Sequence, residues 1–183
     1  MNPLLLLFVI LLPFVSGALL CAFKGRSFGV LSGVTLLITV LNSVFCWVLL
    51  IRGVDGALDV VRFAPQLVLS LQLDGLGRFF VGIVCTLWPM TVLYARAYMR
   101  HEEHLSMFFG FFTMSYGATL GVAMAGNLFT MYCFYELLTL STVPLVIQPM
   151  TKAAVRATRM YFLFSIGGAA FAFASMMFLL ANG

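Results

Sequence analysis

Long apolar stretches separated by short polar breaks account for most of the chain. A helix that crosses the hydrocarbon core of a membrane needs about 20 mostly apolar residues, and stretches of about this length recur along the sequence. The longest, 105–151, holds one charge, Glu136, and is long enough for two crossings hinged at Gly126 and Asn127. The pattern therefore predicts six spanning helices, at about residues 4–23, 28–51, 79–97, 105–125, 128–148 and 158–181.

The connection between the second and third helices, residues 52–78, has a different pattern. Apolar and polar residues partly alternate over 60–73, and a period of two predicts extended strands. Asp74 and Gly75 form a turn signal directly before the third helix. We expect this connection to form a short hairpin or an extended cover on the outer face of the membrane.

Composition places the chain in the membrane. Of its 183 residues, 63% are hydrophobic and 9% are charged, with a mean hydropathy of +1.10. A soluble domain carries about 25% charged residues, so soluble enzymes, nucleic-acid-binding proteins and disordered linkers are excluded. The sequence predicts an all-α integral membrane protein, a single domain (1–183) with the lipid bilayer as a partner and no nucleic acid bound.

The basic residues indicate how the helices are oriented. Inside loops of membrane proteins are enriched in Lys and Arg. With the N-terminus outside, seven basic residues fall in inside loops: Lys24, Arg26, Arg96, Arg100, Lys152, Arg156 and Arg159. Three fall outside: Arg52, Arg62 and Arg78. The distribution favours both termini on the outer face.

The sequence offers no ligand set for a metal or a cofactor. His101 and His104 are three residues apart, which is not the H-E-x-x-H pattern of zinc proteases, and no third ligand is apparent. We interpret this segment as a solvated loop. The cysteines lie in four different apolar stretches without a C-x-x-C pair and are interpreted as packed thiols: Cys21, Cys46, Cys85 and Cys133.

Glu136 is the candidate functional residue on energetic grounds. An acidic side chain at the centre of a spanning helix costs about 2.5–3.5 kcal/mol, and such residues usually belong to ion or proton pathways. Burial favours the neutral carboxyl, whereas a nearby cation favours the carboxylate. A carboxyl under both influences can take up and release a proton. The alternative is a protonated glutamate that only forms a hydrogen bond between helices.

Polar neighbours extend this candidate site. Tyr132 and Thr139 lie on the face of Glu136 because they are four and three residues away. Tyr116 and Thr119, on the fourth helix, are further candidates for a polar lining. Each hydroxyl has an equally good interpretation as a hydrogen-bonding contact between helices. Small residues predict close helix contacts at Gly117 and Gly121 and along 167–170.

Four segments together resemble a known family: 73–80 (LDGLGRFF), 94–99 (YARAYM), 127–146 (NLFTMYCFYELLTLSTVPLV) and, after a basic stretch, 161–170. With these segments the chain is similar to the N-terminal part of the antiporter-like, proton-conducting membrane subunits. Such subunits occur in respiratory complex I, Mrp-type cation/proton antiporters and membrane-bound hydrogenases.

The resemblance implies a role for Glu136 and for partner subunits. Glu136 matches the family's helix-five glutamate, which is essential in proton translocation and pairs with a lysine on helix seven. This sequence ends after the sixth helix, and Lys152 lies 16 residues from Glu136, about 24 Å along a continuous helix. We expect other membrane subunits to supply the missing half and its lysines.

The resemblance also implies the setting. It suggests a bacterial or archaeal cytoplasmic membrane, with hydrogenase or dehydrogenase subunits as redox partners in one alternative and ion exchange without them in another. Any redox cofactor belongs to those partners, because this chain offers no site for catalysis. The competing interpretation is a structural or assembly subunit that does not conduct. The choice between proton and sodium stays open.

Overall fold

Six α-helices and one β-hairpin make up the described part of the chain. The computed structural model describes residues 3–22, 27–54, 56–64, 67–101 and 104–182. The helices are α1 (Leu4–Ala22), α2 (Phe28–Arg52), α3 (Gly75–Tyr98), α4 (Leu105–Ala123), α5 (Leu128–Ile147) and α6 (Lys152–Asn182). The strands are β1 (Leu58–Ala64) and β2 (Leu67–Leu71), and a 3₁₀ turn covers Met99–His101.

All six helices are long and apolar enough to cross a membrane. Their outer surfaces keep large apolar side chains exposed, including Ile51, Phe164 and Phe171 at 77–79%. Soluble proteins rarely expose contiguous apolar patches larger than a few hundred Å², so this surface belongs within the membrane, against lipid or another membrane subunit. The predicted class, an integral membrane bundle of six helices, is confirmed.

Two helices begin earlier than hydropathy predicts because polar side chains cap them. Asp74 accepts a hydrogen bond from the Gly77 amide at 2.6 Å, and α3 starts at Gly75 instead of 79. The Thr151 hydroxyl accepts one from the Ala154 amide at 3.1 Å, and α6 starts at Lys152 instead of 158. A side-chain oxygen satisfies a free amide of the first helical turn, so the caps mark the helix ends, whereas hydropathy marks the part inside the hydrocarbon.

The core forms where α4 packs against its neighbours through small residues. A Cβ built on Gly117 would lie 2.8 Å from the Ile10 carbonyl oxygen of α1, and one built on Gly121 would collide with the Phe134 ring of α5. Glycine at these positions lets the helices approach closely, as predicted. Nothing in the described structure lies within 4 Å of a Cβ built on Gly167 or Gly168 of α6.

The hairpin covers one end of the bundle, as the alternating pattern predicts. β1 and β2 pair antiparallel, with Leu58 opposite Leu71. Gly126, between α4 and α5, donates to the Ser70 carbonyl at 2.8 Å, and Gln72 donates to the Met124 carbonyl at 2.8 Å. These bonds fix the hairpin to the α4–α5 connection. The position of both termini on the outer face stays a prediction.

Candidate functional site

Glu136 lies near the middle of α5 with its side chain half-buried. One carboxyl oxygen, Oε1, is buried and has no hydrogen-bond partner among the described residues. The ion pair found in that part of the chain joins Arg62 to Asp59 on the hairpin and does not involve Glu136. A buried carboxyl oxygen without a cation or a donor is costly, so this oxygen is left unsatisfied within the described structure.

Aromatic rings and hydroxyl groups of α5 meet α6 along the seam between the two helices. Tyr132, one turn before Glu136 and next to it, packs on Phe173 of α6 with ring centroids 5.6 Å apart. The Thr142 and Tyr161 hydroxyls share a hydrogen bond of 2.7 Å across the same seam. Tyr132 therefore lies beside Glu136, where the sequence predicts it.

Two predicted lining residues have their hydroxyl protons engaged. Thr139 is buried and donates to the Tyr135 carbonyl at 3.1 Å. Thr119, on α4, donates to the Ser115 carbonyl at 2.8 Å. Each hydroxyl oxygen still has free lone pairs, so these side chains can accept a hydrogen bond from water or coordinate a cation.

Tyr116 is turned toward α2 and α3. It is fully buried, and its hydroxyl shares a hydrogen bond of 2.8 Å with Ser43 of α2. Its ring stacks on Trp88 of α3 with centroids 5.1 Å apart and planes 16° apart. Tyr132 therefore lies beside Glu136 and Thr139 follows it by three residues on α5, whereas Tyr116 is engaged in a separate polar cluster. Its predicted part in a polar lining stays untested.

That cluster belongs to a buried polar face of α2 that the sequence analysis missed. Asn42 is fully buried beside the Tyr116 hydroxyl, and neither its amide nitrogen nor its oxygen makes a well-formed hydrogen bond among the described residues. The signal is in the sequence, because polar residues recur every three or four positions along α2. The buried members of this face are Ser32, Thr35, Thr39, Asn42 and Ser43.

Candidate metal ligands do not gather in the part of the chain that the structure describes: no group of three or more His, Cys, Asp or Glu is present there. Glu102 and Glu103, between the two histidines, lie outside the described residues. The four cysteines are free; Cys46 and Cys85 are buried, and the other two are partly buried. These thiols are packed, as predicted.

The chain is thus an integral membrane helical bundle with an unpaired carboxyl inside a spanning helix. In sequence, 79 residues are 34% identical to a probable K(+)/H(+) antiporter component of Rhizobium meliloti. A stretch of 77 residues is 34% identical to an Na(+)/H(+) antiporter component of Staphylococcus aureus. Each match covers 42% of this chain but only 8% and 10%, respectively, of the relative. No family model matches the sequence.

A solved structure shares the fold. A chain of the membrane-bound sulfane sulfur reductase, an archaeal respiratory membrane complex, superposes with a TM-score of 0.74 at 17% sequence identity. The superposition covers 91% of this chain and 35% of that one. Together with the antiporter relatives, it confirms the predicted resemblance to antiporter-like membrane subunits.

Proposed function

We propose that this protein is an antiporter-like subunit of a multisubunit membrane complex and contributes to proton or cation translocation through Glu136. The observation that carries the proposal is the buried, unpartnered Oε1 of Glu136 in the middle of α5. Carboxyl groups inside membranes usually mark ion or proton pathways. The names of the relatives support the same function, because they are subunits of K(+)/H(+) and Na(+)/H(+) antiporters.

A cation from another subunit completes this site in our proposal. The sequence contains two lysines, and neither lies inside a spanning stretch: Lys24 falls between the first two helices, and Lys152 begins α6. A partner lysine near Glu136 would stabilise the carboxylate, and its withdrawal would favour the protonated form. Movement of that lysine would thus couple to proton uptake and release at Glu136.

The setting we propose is the cytoplasmic membrane of a bacterium or an archaeon. The antiporter relatives are bacterial, and the structural neighbour comes from an archaeal respiratory complex. Any redox cofactor would belong to hydrogenase or dehydrogenase partners. This chain would not be catalytic by itself, and its contribution would be ion movement.

Replacing Glu136 by Gln tests the proposal. Gln keeps the size and the hydrogen-bonding groups but cannot take up a proton at neutral pH. We expect the complex to assemble, and proton transport measured with a pH-sensitive dye in inverted membrane vesicles to fall at least tenfold. Sodium uptake by the same vesicles is measured in parallel: loss of proton flux alone indicates a proton path, whereas loss of both fluxes indicates coupled exchange.

Asp59→Asn is the matched control, since it also converts a carboxylate to an amide. Asp59 lies on the exposed hairpin and pairs with Arg62, both well accessible to solvent. Exposed pairs of this kind contribute little, so transport should stay at the level of the unmodified protein. Transport that survives Glu136→Gln in an assembled complex would contradict the proposal.

A structural or assembly subunit is the second candidate, and the exposure of α6 favours it. Phe164 and Phe171 are 77% and 78% exposed, and the small residues Gly167 and Gly168 face no described neighbour. Such a surface suits contact with another membrane subunit. If Glu136→Gln abolishes co-purification of partners from mild detergent, Glu136 serves assembly. If partners are retained and transport is lost, the structural interpretation fails.

A further inference from the structure

A groove of about 630 Å³ opens between α2 and α3 on the outer surface of the bundle. Its walls are mostly apolar and include large exposed side chains such as Phe79 and Leu87. Gly82 contributes no side chain to the groove, and a Cβ there would meet only Leu50, at 3.7 Å. The lining consists of Trp47, Leu50, Arg78, Phe79, Gly82, Ile83, Thr86 and Leu87.

One arginine stands at one end of this groove, and the backbone of a second lies close to it. Arg78 lines it from the first turn of α3, and Arg52 ends α2; both are exposed. A guanidinium nitrogen of Arg78 would lie 4.0 Å from a Cβ built on Gly53, the residue after Arg52. Neither arginine forms an ion pair within the described residues. The groove therefore combines an apolar body with a cationic rim.

The length of the groove matches one leaflet of a bilayer. From Arg78 to Leu87, α3 rises by nine residues, which is about 14 Å. The hydrocarbon core is about 30 Å thick, so the groove spans half of it. A partner helix would contact the protein through both leaflets, whereas a lipid acyl chain occupies one.

We propose that the groove between α2 and α3 binds an acidic phospholipid, with its phosphate at Arg78 and Arg52 and one acyl chain along Gly82 and Leu87. Arginine forms paired hydrogen bonds with phosphate oxygens, and basic residues beside spanning helices recognise anionic headgroups. Trp47 lines the groove less than two turns before Arg52, and tryptophan is enriched near membrane–water interfaces.

A second groove provides an internal comparison. About 450 Å³ in volume, it lies between α1 and α2, and no charged residue lines it. Phe45 is among its lining residues and is two positions from Trp47 on α2, so the two side chains differ by about 3 Å in depth. The two probe positions therefore lie at similar depth beside apolar walls, and only the first groove has an arginine among its lining residues.

Tryptophan quenching by brominated lipids tests this site. The sequence has two tryptophans, so Trp88→Phe leaves Trp47 as the single probe. The full chain is placed in two sets of nanodiscs, one containing dibrominated phosphatidylglycerol and the other the same fraction of dibrominated phosphatidylcholine. We expect phosphatidylglycerol to bind beside Trp47 more tightly than phosphatidylcholine, by about fivefold for each arginine. Arg52→Gln with Arg78→Gln should remove the preference while phosphatidylcholine quenching persists.

Two further variants decide the remaining outcomes. Gly82→Phe fills the groove and should reduce quenching of Trp47 by both lipids. Phe45→Trp, in a chain with both native tryptophans changed to Phe, places the probe in the uncharged groove and should show no preference. Equal quenching of Trp47 by the two lipids, an equal preference in both grooves, or a preference that survives the double arginine change would each overturn the proposal.

Discussion

Three side chains inside the spanning helices have a buried polar atom without a hydrogen-bond partner within the described structure: Asn42, Glu136 and, through its indole nitrogen, Trp88. The surroundings of the first two differ. Glu136 is half-buried beside the seam of α5 and α6. Asn42 is fully enclosed, so no other subunit can reach it without displacing a helix. Glu136 is thus open to a partner's cation, whereas the amide of Asn42 bears its desolvation cost inside this chain.

Replacing Asn42 by Leu should stabilise the protein. An unsatisfied buried polar group costs about 1–3 kcal/mol, and Leu has a similar size without that cost. We expect a higher thermal unfolding midpoint in mild detergent. Thr39→Val is the control, because the Thr39 hydroxyl already donates to the Thr35 carbonyl at 2.9 Å, and its replacement should change little. A lower midpoint for Asn42→Leu would show that the amide is satisfied.

Sequence reasoning finds Glu136 but misses Asn42 for a physical reason. A carboxylate in an apolar stretch is conspicuous because its transfer cost is high wherever the helix points. The cost of an asparagine depends on which side of α2 it occupies, and that rotation is set by packing against α3 and α4. The spacing from Ser32 to Ser43 indicates a polar face, but its burial is a tertiary property.

At the scale of the elements, α4 packs closely against α1 because Gly117 has no side chain at the contact. Gly117→Ala should destabilise the protein by about 1–3 kcal/mol, because the new Cβ would meet the Ile10 carbonyl oxygen at 2.8 Å and overpacking is costly. Thermal unfolding in detergent measures the change. Gly167→Ala, where a Cβ meets nothing, should be neutral or slightly stabilising. Equal effects at the two positions would contradict this account.

The alternating pattern predicts the strands of the hairpin but not the contacts that fix it to the bundle. The alternation predicts extended chain near 60–73, and the strands lie at Leu58–Ala64 and Leu67–Leu71. The pattern does not predict what holds them. Asn127 caps α5 and also donates to the Val68 carbonyl at 2.6 Å and to the Ser70 hydroxyl at 2.9 Å. These partners are 57 and 59 residues away in the sequence, so only the fold brings them together.

At the scale of the whole molecule, composition settles the class, and the distribution of charge predicts the orientation. Hydropathy suffices for six crossings because every helix must satisfy its own backbone in lipid. The packing of α4 at the centre and the sparse covering of α6 depend on contacts that hydropathy does not encode.

Cysteine labelling tests the predicted orientation. Val61 lies on the hairpin, predicted to be outside, and its side chain is 44% exposed. Thr151 lies directly before α6, on the face predicted to be inside. Each is replaced by cysteine. In a background without native cysteines, a membrane-impermeant maleimide should label position 61 in intact cells. Position 151 should react only in inverted vesicles. The reverse pattern would place the termini on the inner face.

The length of α6 has a mechanical consequence. Its 31 residues extend for about 46 Å, half as long again as the hydrocarbon is thick. We therefore expect the first two turns of α6 to extend beyond the hydrocarbon, where they carry three cationic side chains: Lys152, Arg156 and Arg159. A force applied to this end of α6 would be carried along the helix to Tyr161, whose hydroxyl shares a hydrogen bond with Thr142 of α5, the helix of Glu136.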